Sequence, residues 1–310
     1  MRILVVGAGG IGGYFGGRLL EAKKDVTFLV RPKRAAELAS SGLQVESRFG
    51  NMKISNPPTV LAENLHDTFD LILLSCKAYD LESAMTSFAP AVGPDTMILP
   101  LLNGMRHLDV LDQRFGAAHV LGGLCAASLV LDAGRVLHLN DVHFFTFGER
   151  DGSRSTRVEE IASAFSGVKF VARLSQKVLL EMWEKWVFIA ACAGITCLMR
   201  ASVGDIVEAG GAGIASSLLN ECAGIAAGEG FPPREKSVEG GRTMLTAPNS
   251  LFAASMFRDI ERNAPIEADH VIGDLLRRGT EKGIASPVLR VAYAHLKSYE
   301  ARRAREASGD

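Results

Sequence analysis

The sequence predicts an α/β protein, with an N-terminal doubly wound sheet followed by a mostly helical C-terminal domain. Three observations carry this expectation. A short apolar run, Ile3 to Val6, leads directly into the glycine-rich stretch Gly7 to Gly17. Apolar runs of strand length then alternate with helix-like segments through the first half. From Ser175 onward the pattern turns helical: "GIASSLLNECAGIAAGEG" and "HVIGDLLRRGTEKGI" carry apolar residues at i, i+3, i+4 spacing. The boundary is expected near Arg173, giving domains over residues 1–173 and 174–310.

Composition narrows the function classes. The chain has 310 residues, 47% of them hydrophobic and 22% charged, an ordinary balance for a globular protein with a sizeable core. A formal net charge of -1 argues against nucleic-acid binding through bulk charge. The arginines near the C-terminus (Arg302, Arg303, Arg305) are interspersed with acids and read as a solvated helix end. The run Trp186 to Met199 is shorter than the roughly 18 apolar residues of a membrane span, so a buried helix is expected and no membrane partner. Five scattered cysteines form no C-x-x-C pair and no zinc spacing with histidine. With no signal-peptide pattern ahead of the first strand, this points to a cytoplasmic protein with reduced thiols and no metal.

The first element is a strand, because an apolar run without alternation suits a parallel strand covered on both faces. The turn after it reads Gly7-x-Gly9-x-x-Gly12. Gly7 permits a tight turn, Gly9 lets a pyrophosphate approach the backbone, and Gly12 lets the following helix pack closely on the strand. The phosphates are expected on the N-terminal end of that helix, with Gly10 and Ile11 among the contacts. A second strand, Val26 to Val30, completes the context that a Rossmann-type dinucleotide fingerprint requires. Where an NAD site ends this strand in Asp or Glu, the sequence has Arg31, followed by Lys33 and Arg34. A cation there attracts a 2′-phosphate and offers no acceptor to a free hydroxyl, so NADPH is favoured; a solvated basic loop is the competing reading.

Later elements follow the same alternation. Lys77 comes just after the strand in "FDLILLSCKAYD", at the end where open α/β sheets bind ligands. Asn103-Gly104 follows the apolar run Met97 to Leu102. Asn103 can present a donor and an acceptor to nicotinamide or substrate, or be a plain Asn-Gly turn. Strands are expected in "HVLGGLCAASLVL", "RVLHLN", "VHFFTFGE" and "VKFVARLS", with "ERDGSRSTR" as a surface loop. His138 and His143 fall in this region without partner motifs and read as structural.

In the helical half, Lys185 stands at the mouth of the apolar run in "EMWEKWVFIAACAGITCLM". A lysine entering a buried helix must snorkel to water or lose charge. Facing a cleft between the two domains, it can donate a proton to a ketone oxygen as hydride reaches the carbonyl carbon. A surface lysine beside Glu184 is the alternative. Ser255 and Asp259 share one helical face. Glu267 follows Pro265 and opens the next helix, where it can orient a lysine, accept from a substrate hydroxyl, or simply favour the helix's first turn.

Taken in order, the glycine turn, the arginine after the second strand, "CKAYD", "NGM", "W-x-K", "ASMFRDI", "IEADHVIG" and "KGIASP" resemble the ketopantoate reductase (2-dehydropantoate 2-reductase) family over nearly the whole chain. The resemblance implies a Rossmann domain, a helical second domain, NADPH, a small 2-oxo acid substrate, pantothenate biosynthesis and homodimerisation. It implies that Lys185 is the general acid and that Glu267 supports the substrate hydroxyl. By the same resemblance Ser255 and Asn103 hold the substrate, Asn103 also lies at the nicotinamide, and Arg31 and Lys77 serve NADPH. The family often has asparagines four and eight residues after the lysine, where this chain has Ile189 and Ala193. That departure keeps three readings open: ketopantoate reduction, reduction of another 2-oxo acid or opine-type substrate, and NADPH binding without turnover.

Overall fold

The computed structural model describes residues 1–308. The chain begins with β1 (Arg2–Val6), α1 (Gly10–Glu21), β2 (Asp25–Leu29), α2 (Pro32–Ser41), β3 (Leu43–Glu46), β4 (Met52–Ile54) and β5 (Thr59–Val60). It continues with β6 (Leu71–Leu74), α3 (Leu81–Phe88), β7 (Met97–Pro100), α4 (Arg106–Phe115), β8 (Gly122–Ala126) and β9 (Leu129–Asp132). Next come β10 (Arg135–His138), β11 (Phe144–Gly148), α5 (Thr156–Ala164) and β12 (Val171–Leu174). The remainder is helical: α6 (Val178–Met199), α7 (Val203–Glu208), α8 (Ala212–Gly228), α9 (Glu235–Leu245), α10 (Ser255–Glu261), α11 (Asp274–Glu281) and α12 (Pro287–Ser308).

The expected doubly wound sheet is present, in the order β5-β2-β1-β6-β7 and parallel throughout. Strands β6 and β7 are buried along their whole length, as strands covered on both faces must be. Two smaller sheets flank it, β4-β3-β10-β9 and β12-β11-β8. The run from His119 to Leu131 is two strands, β8 and β9, paired in different sheets. His143 precedes β11 instead of lying in it.

The chain divides into two compact units: Met1–Leu102 with His107–Val178, and Asn103–Arg106 with the residues from Leu179 onward. The division follows Val178, not Arg173. The Ser175 N–H donates to the Phe147 carbonyl at 2.8 Å, and the Val178 side chain packs against Gly122, so the residues after β12 still belong to the sheet unit.

In the first unit, α1 is pressed between two sheets. A Cβ on Gly16 would come within 2.6 Å of the Phe28 ring, and one on Gly13 within 2.9 Å of Val136. Small residues on both faces of α1 are what permit this spacing. Phe15, Phe145, Phe147, Phe165 and Phe170 pack together in the same core, each burial stabilising by about 1.5–3 kcal/mol. His143 stacks on Phe49 at 3.6 Å and shares a 2.8 Å hydrogen bond with the Tyr14 hydroxyl, while His138 pairs with Ser47 at 3.0 Å. Both histidines are thereby engaged within the fold of this unit.

In the second unit, α6 runs for 22 residues and is buried over most of its surface, which its nearly continuous apolar sequence requires. It ends at Arg200, whose φ of 53° is left-handed, and the Ala201 N–H returns to the Thr196 carbonyl at 3.3 Å. Helix α7 follows through a reciprocal Ser202–Asp205 capping box. The segment after Pro265 opens with a π turn, Asp269–Gly273, before α11. The buried Asp274 that follows is held by Arg277 at 2.6 Å and Arg278 at 3.0 Å.

Candidate active site

The first unit carries the dinucleotide candidates. Gly7 sits at φ 91°, and its N–H donates to the Leu29 carbonyl at 2.9 Å, which folds the turn back over β2. A Cβ on Gly12 would lie 2.0 Å from the Gly7 carbonyl oxygen and 2.3 Å from Ser75 Oγ, so no other residue fits there without moving the turn. A Cβ on Gly9, by contrast, would meet nothing within 4 Å. Gly9 is also the N-cap of α1 and brings no side chain to it. The first-turn N–H groups, at Gly10, Ile11 and Gly12, thus stand behind open space at the positive end of a 12-residue helix. Strand order reverses here, with β2 on one side of β1 and β6 on the other, the usual place for a ligand in such sheets. These features fit a pyrophosphate.

Arg31 is the N-cap of α2, and its side chain is 70% exposed. It pairs with Asp80 at 2.7 Å. An ion pair this exposed is worth about 0–1 kcal/mol, so it yields readily to a stronger anion. Lys77 is half-buried at the start of the short turn Ala78–Asp80 after β6. Arg34 belongs to the basic run that the sequence places after β2, but its contacts with the glycine turn are not legible there. Its Nε donates to the Ala8 carbonyl, inside the glycine turn, at 3.0 Å. Its Nη1 bonds Glu37 and Gly134, while its Nη2 is buried with no acceptor. The unmet donor lies on a side chain anchored to the very turn that a dinucleotide would cover.

The second unit carries the substrate candidates. Lys185 lies on the partly exposed stripe of α6, with Glu181, Phe188 and Ile189. Glu184 does not share that stripe. It is 7% exposed and accepts from the Arg234 N–H and Nε, each at 2.8 Å. Burial pushes the Glu184 carboxyl up, but the Arg234 hydrogen bonds and charge outweigh it and hold it below the usual range. Ala193 is 3% exposed and Ile189 half-buried.

Three links gather the other candidates. The Trp186 indole donates to the Val271 carbonyl at 2.8 Å, and the Val271 N–H donates to the Glu267 carbonyl at 2.9 Å. The residue beside Lys185 is thereby tied to the turn that presents half-buried Glu267. Phe188 stacks on Phe252 with centroids 6.0 Å apart, and the Ala254 N–H donates to Thr196 Oγ1 at 3.4 Å. These contacts fix the approach to Ser255, the exposed first residue of α10, on the same helix α6. Asn103 is half-buried within the four-residue segment that belongs to this unit. At its neighbour Gly104, with φ 77°, a Cβ would come within 3.0 Å of the His270 carbonyl and 3.2 Å of its ring.

His270 is 8% exposed. Burial pushes its pKa down, against the opposing pull of the Glu267 charge and a hydrogen bond to the Asn103 backbone. The sequence offers only its place, three residues after Glu267, as a signal. Trp186, Phe188 and Phe252 likewise read as plain core residues from pattern alone. Among the described residues, no group of three or more His, Cys, Asp or Glu is placed to hold a metal ion, and no helix is long and apolar enough to cross a membrane.

Comparisons with known proteins agree with this layout. The family model described as ketopantoate reductase PanE/ApbA matches residues 3–152, and its C-terminal counterpart matches residues 177–300. The uncharacterized oxidoreductase YkpB of Bacillus subtilis (strain 168) is 38% identical over 98% of this chain and 100% of its own length. The 2-dehydropantoate 2-reductase of Nostoc sp. (strain PCC 7120) is 26% identical, covering 97% of this chain and 96% of that protein. The crystal structure of 2-dehydropantoate 2-reductase from Methylococcus capsulatus superimposes with a TM-score of 0.85 at 26% identity, covering 98% of each chain. The chain therefore belongs to the ketopantoate reductase family of oxidoreductases.

Proposed function

We propose that the protein reduces a small 2-oxo acid to the 2-hydroxy acid with NADPH, and that ketopantoate is the first candidate, giving pantoate for pantothenate biosynthesis in the cytoplasm. The observation that carries the reading is Lys185, on an open stripe of a buried helix, with Glu184 drawn away to Arg234 and the Glu267 turn bonded to the neighbouring tryptophan. When bound, NADPH supplies the hydride to the ketone carbon. Lys185 Nζ gives a proton to the ketone oxygen, the C=O bond becomes CH–OH, and the lysine regains its proton from water. Glu267 orients Lys185 and accepts from the substrate hydroxyl. Asn103 and Ser255 position the acid.

On the cofactor side, Gly7 shapes the turn, the backbone N–H groups at Gly9, Gly10, Ile11 and Gly12 hold the pyrophosphate, and Asn103 also serves the nicotinamide. Arg31 and Lys77 serve the phosphates. Arg31 would exchange its Asp80 partner for the 2′-phosphate, which supports NADPH over NADH. Homodimerisation, which the resemblance implies, is read directly by light scattering.

The test is NADPH oxidation, followed by absorbance, with and without ketopantoate. Substrate-dependent oxidation, abolished by Lys185→Ala, is the expected result. Binding of NADPH without turnover of any oxo acid would instead favour a regulatory protein. The apolar Ile189 and Ala193 support a second reading within the same chemistry, a different 2-oxo acid or an opine-type substrate.

A further inference from the structure

We infer that the substrate is a 2-oxo acid with a bulky apolar tail, aliphatic or aromatic, preferred over ketopantoate. The inference rests on the reductase reading above and concerns only the substrate's far end. Phe188 and Ile189 follow Lys185 by three and four residues, so they flank it on one face of α6. Both are partly exposed, although most of that helix is buried. Phe252 stacks on Phe188 with an interplanar angle of 21° and is itself 39% exposed. Three residues after Phe252 comes Ser255, the candidate that would hold the acid.

The surface next to the proton donor is therefore built of two rings and a branched aliphatic chain. Ala193, one turn beyond Ile189, adds no polar group. Ketopantoate carries a terminal hydroxyl. Against such a wall the hydroxyl loses its water and keeps Glu267 as its one acceptor, with no second partner from the wall itself, which is unfavourable. An apolar tail loses nothing and gains contact area. Gly241 packs against the Phe188 ring, its Cβ position 3.4 Å away, so the wall is supported from behind.

The experiment is a steady-state comparison with NADPH of ketopantoate, 2-oxoisocaproate and phenylpyruvate, on the wild type and on Ile189→Asn and Phe252→Ala. One methylene in an apolar pocket changes kcat/KM by about 10- to 200-fold. The expected result is kcat/KM at least about tenfold higher for one of the apolar acids than for ketopantoate, with each variant lowering that ratio. Thermal melts of both variants check folding, and two unrelated positions keep the test intact if one fails. Equal or higher kcat/KM for ketopantoate overturns the inference and leaves the reductase reading standing. An apolar preference that neither folded variant alters overturns the assignment to this wall. No turnover of any acid overturns the reductase reading itself. Calorimetric binding of the same acids to the NADPH-loaded protein then ranks the tails without chemistry, and tighter binding of ketopantoate overturns the inference there too.

Discussion

The glycine turn after β1 and the lysine face of α6 are built on opposite principles. At the turn the candidate groups are backbone: N–H groups at a helix start, and positions where a side chain is forbidden. On α6 they are side chains, held by contacts that come from segments far away in the chain. Damage at the turn should therefore appear as lost binding and lost stability together. Damage at α6 should appear as lost turnover in a protein that still folds and still binds cofactor.

The largest effect tests the α6 side. Lys185→Ala should lower kcat by about 10²- to 10⁴-fold, the range for removing a general acid, with NADPH affinity and melting temperature nearly unchanged. A parallel loss of NADPH binding would break the contrast. Gly12→Ala tests the turn. Its Cβ would meet a backbone oxygen at 2.0 Å, so overpacking should cost about 1–3 kcal/mol or more and weaken NADPH binding in the same variant. Denaturant midpoint and NADPH titration read both.

A charged hydrogen bond is worth about 1.5–3 kcal/mol, so Arg31→Ala should weaken NADPH about 10- to 100-fold and leave NADH nearly unaffected. Equal weakening of both would place Arg31 away from the 2′-phosphate. A smaller effect is expected for Trp186→Phe, which removes the 2.8 Å bond to Val271 and should cost about 1–3 kcal/mol with a fall in kcat, because the Glu267 turn loses its tie.

The mildest test is pH. Burial lowers the pKa of His143, His270 and His295 below the ordinary value of 6.5. The unfolded chain then takes up these protons before the folded one does. Stability is thus fully present above about pH 6.5 and falls as pH drops through the folded values. Urea midpoints should decline between about pH 7 and pH 5.5, and His270→Gln should flatten part of that slope if it folds normally.

This contrast also explains what the sequence reveals. The turn is legible because its logic is local: Gly7, Gly9, Gly12 and Arg31 lie within one strand-turn-helix-strand unit, and the parallel sheet forms as the pattern predicts. Lys185 is ambiguous in one dimension because its meaning depends on Glu184, whose partner Arg234 lies 50 residues away. His270 behind Gly104 and Phe252 on Phe188 are long-range pairings that periodicity does not encode. The flanking sheets escape notice for the same reason: β3 pairs with β10, a strand some ninety positions further on. The split at β8 and β9 is hidden because the apolar run continues through both.

One consequence follows from the π turn at Asp269–Gly273. A π turn holds one residue more than an α turn, so it is an insertion that the helix has absorbed. Deleting a single residue there would let the segment rewind as ordinary α-helix. Each residue of an α-helix advances the winding by roughly 100°, so Glu267 would swing by that angle relative to α11. The direction of the Glu267 side chain relative to α11 is thus set by a one-residue surplus. A family keeping the same scaffold can redirect this acid by gaining or losing one codon, without touching any residue of the site.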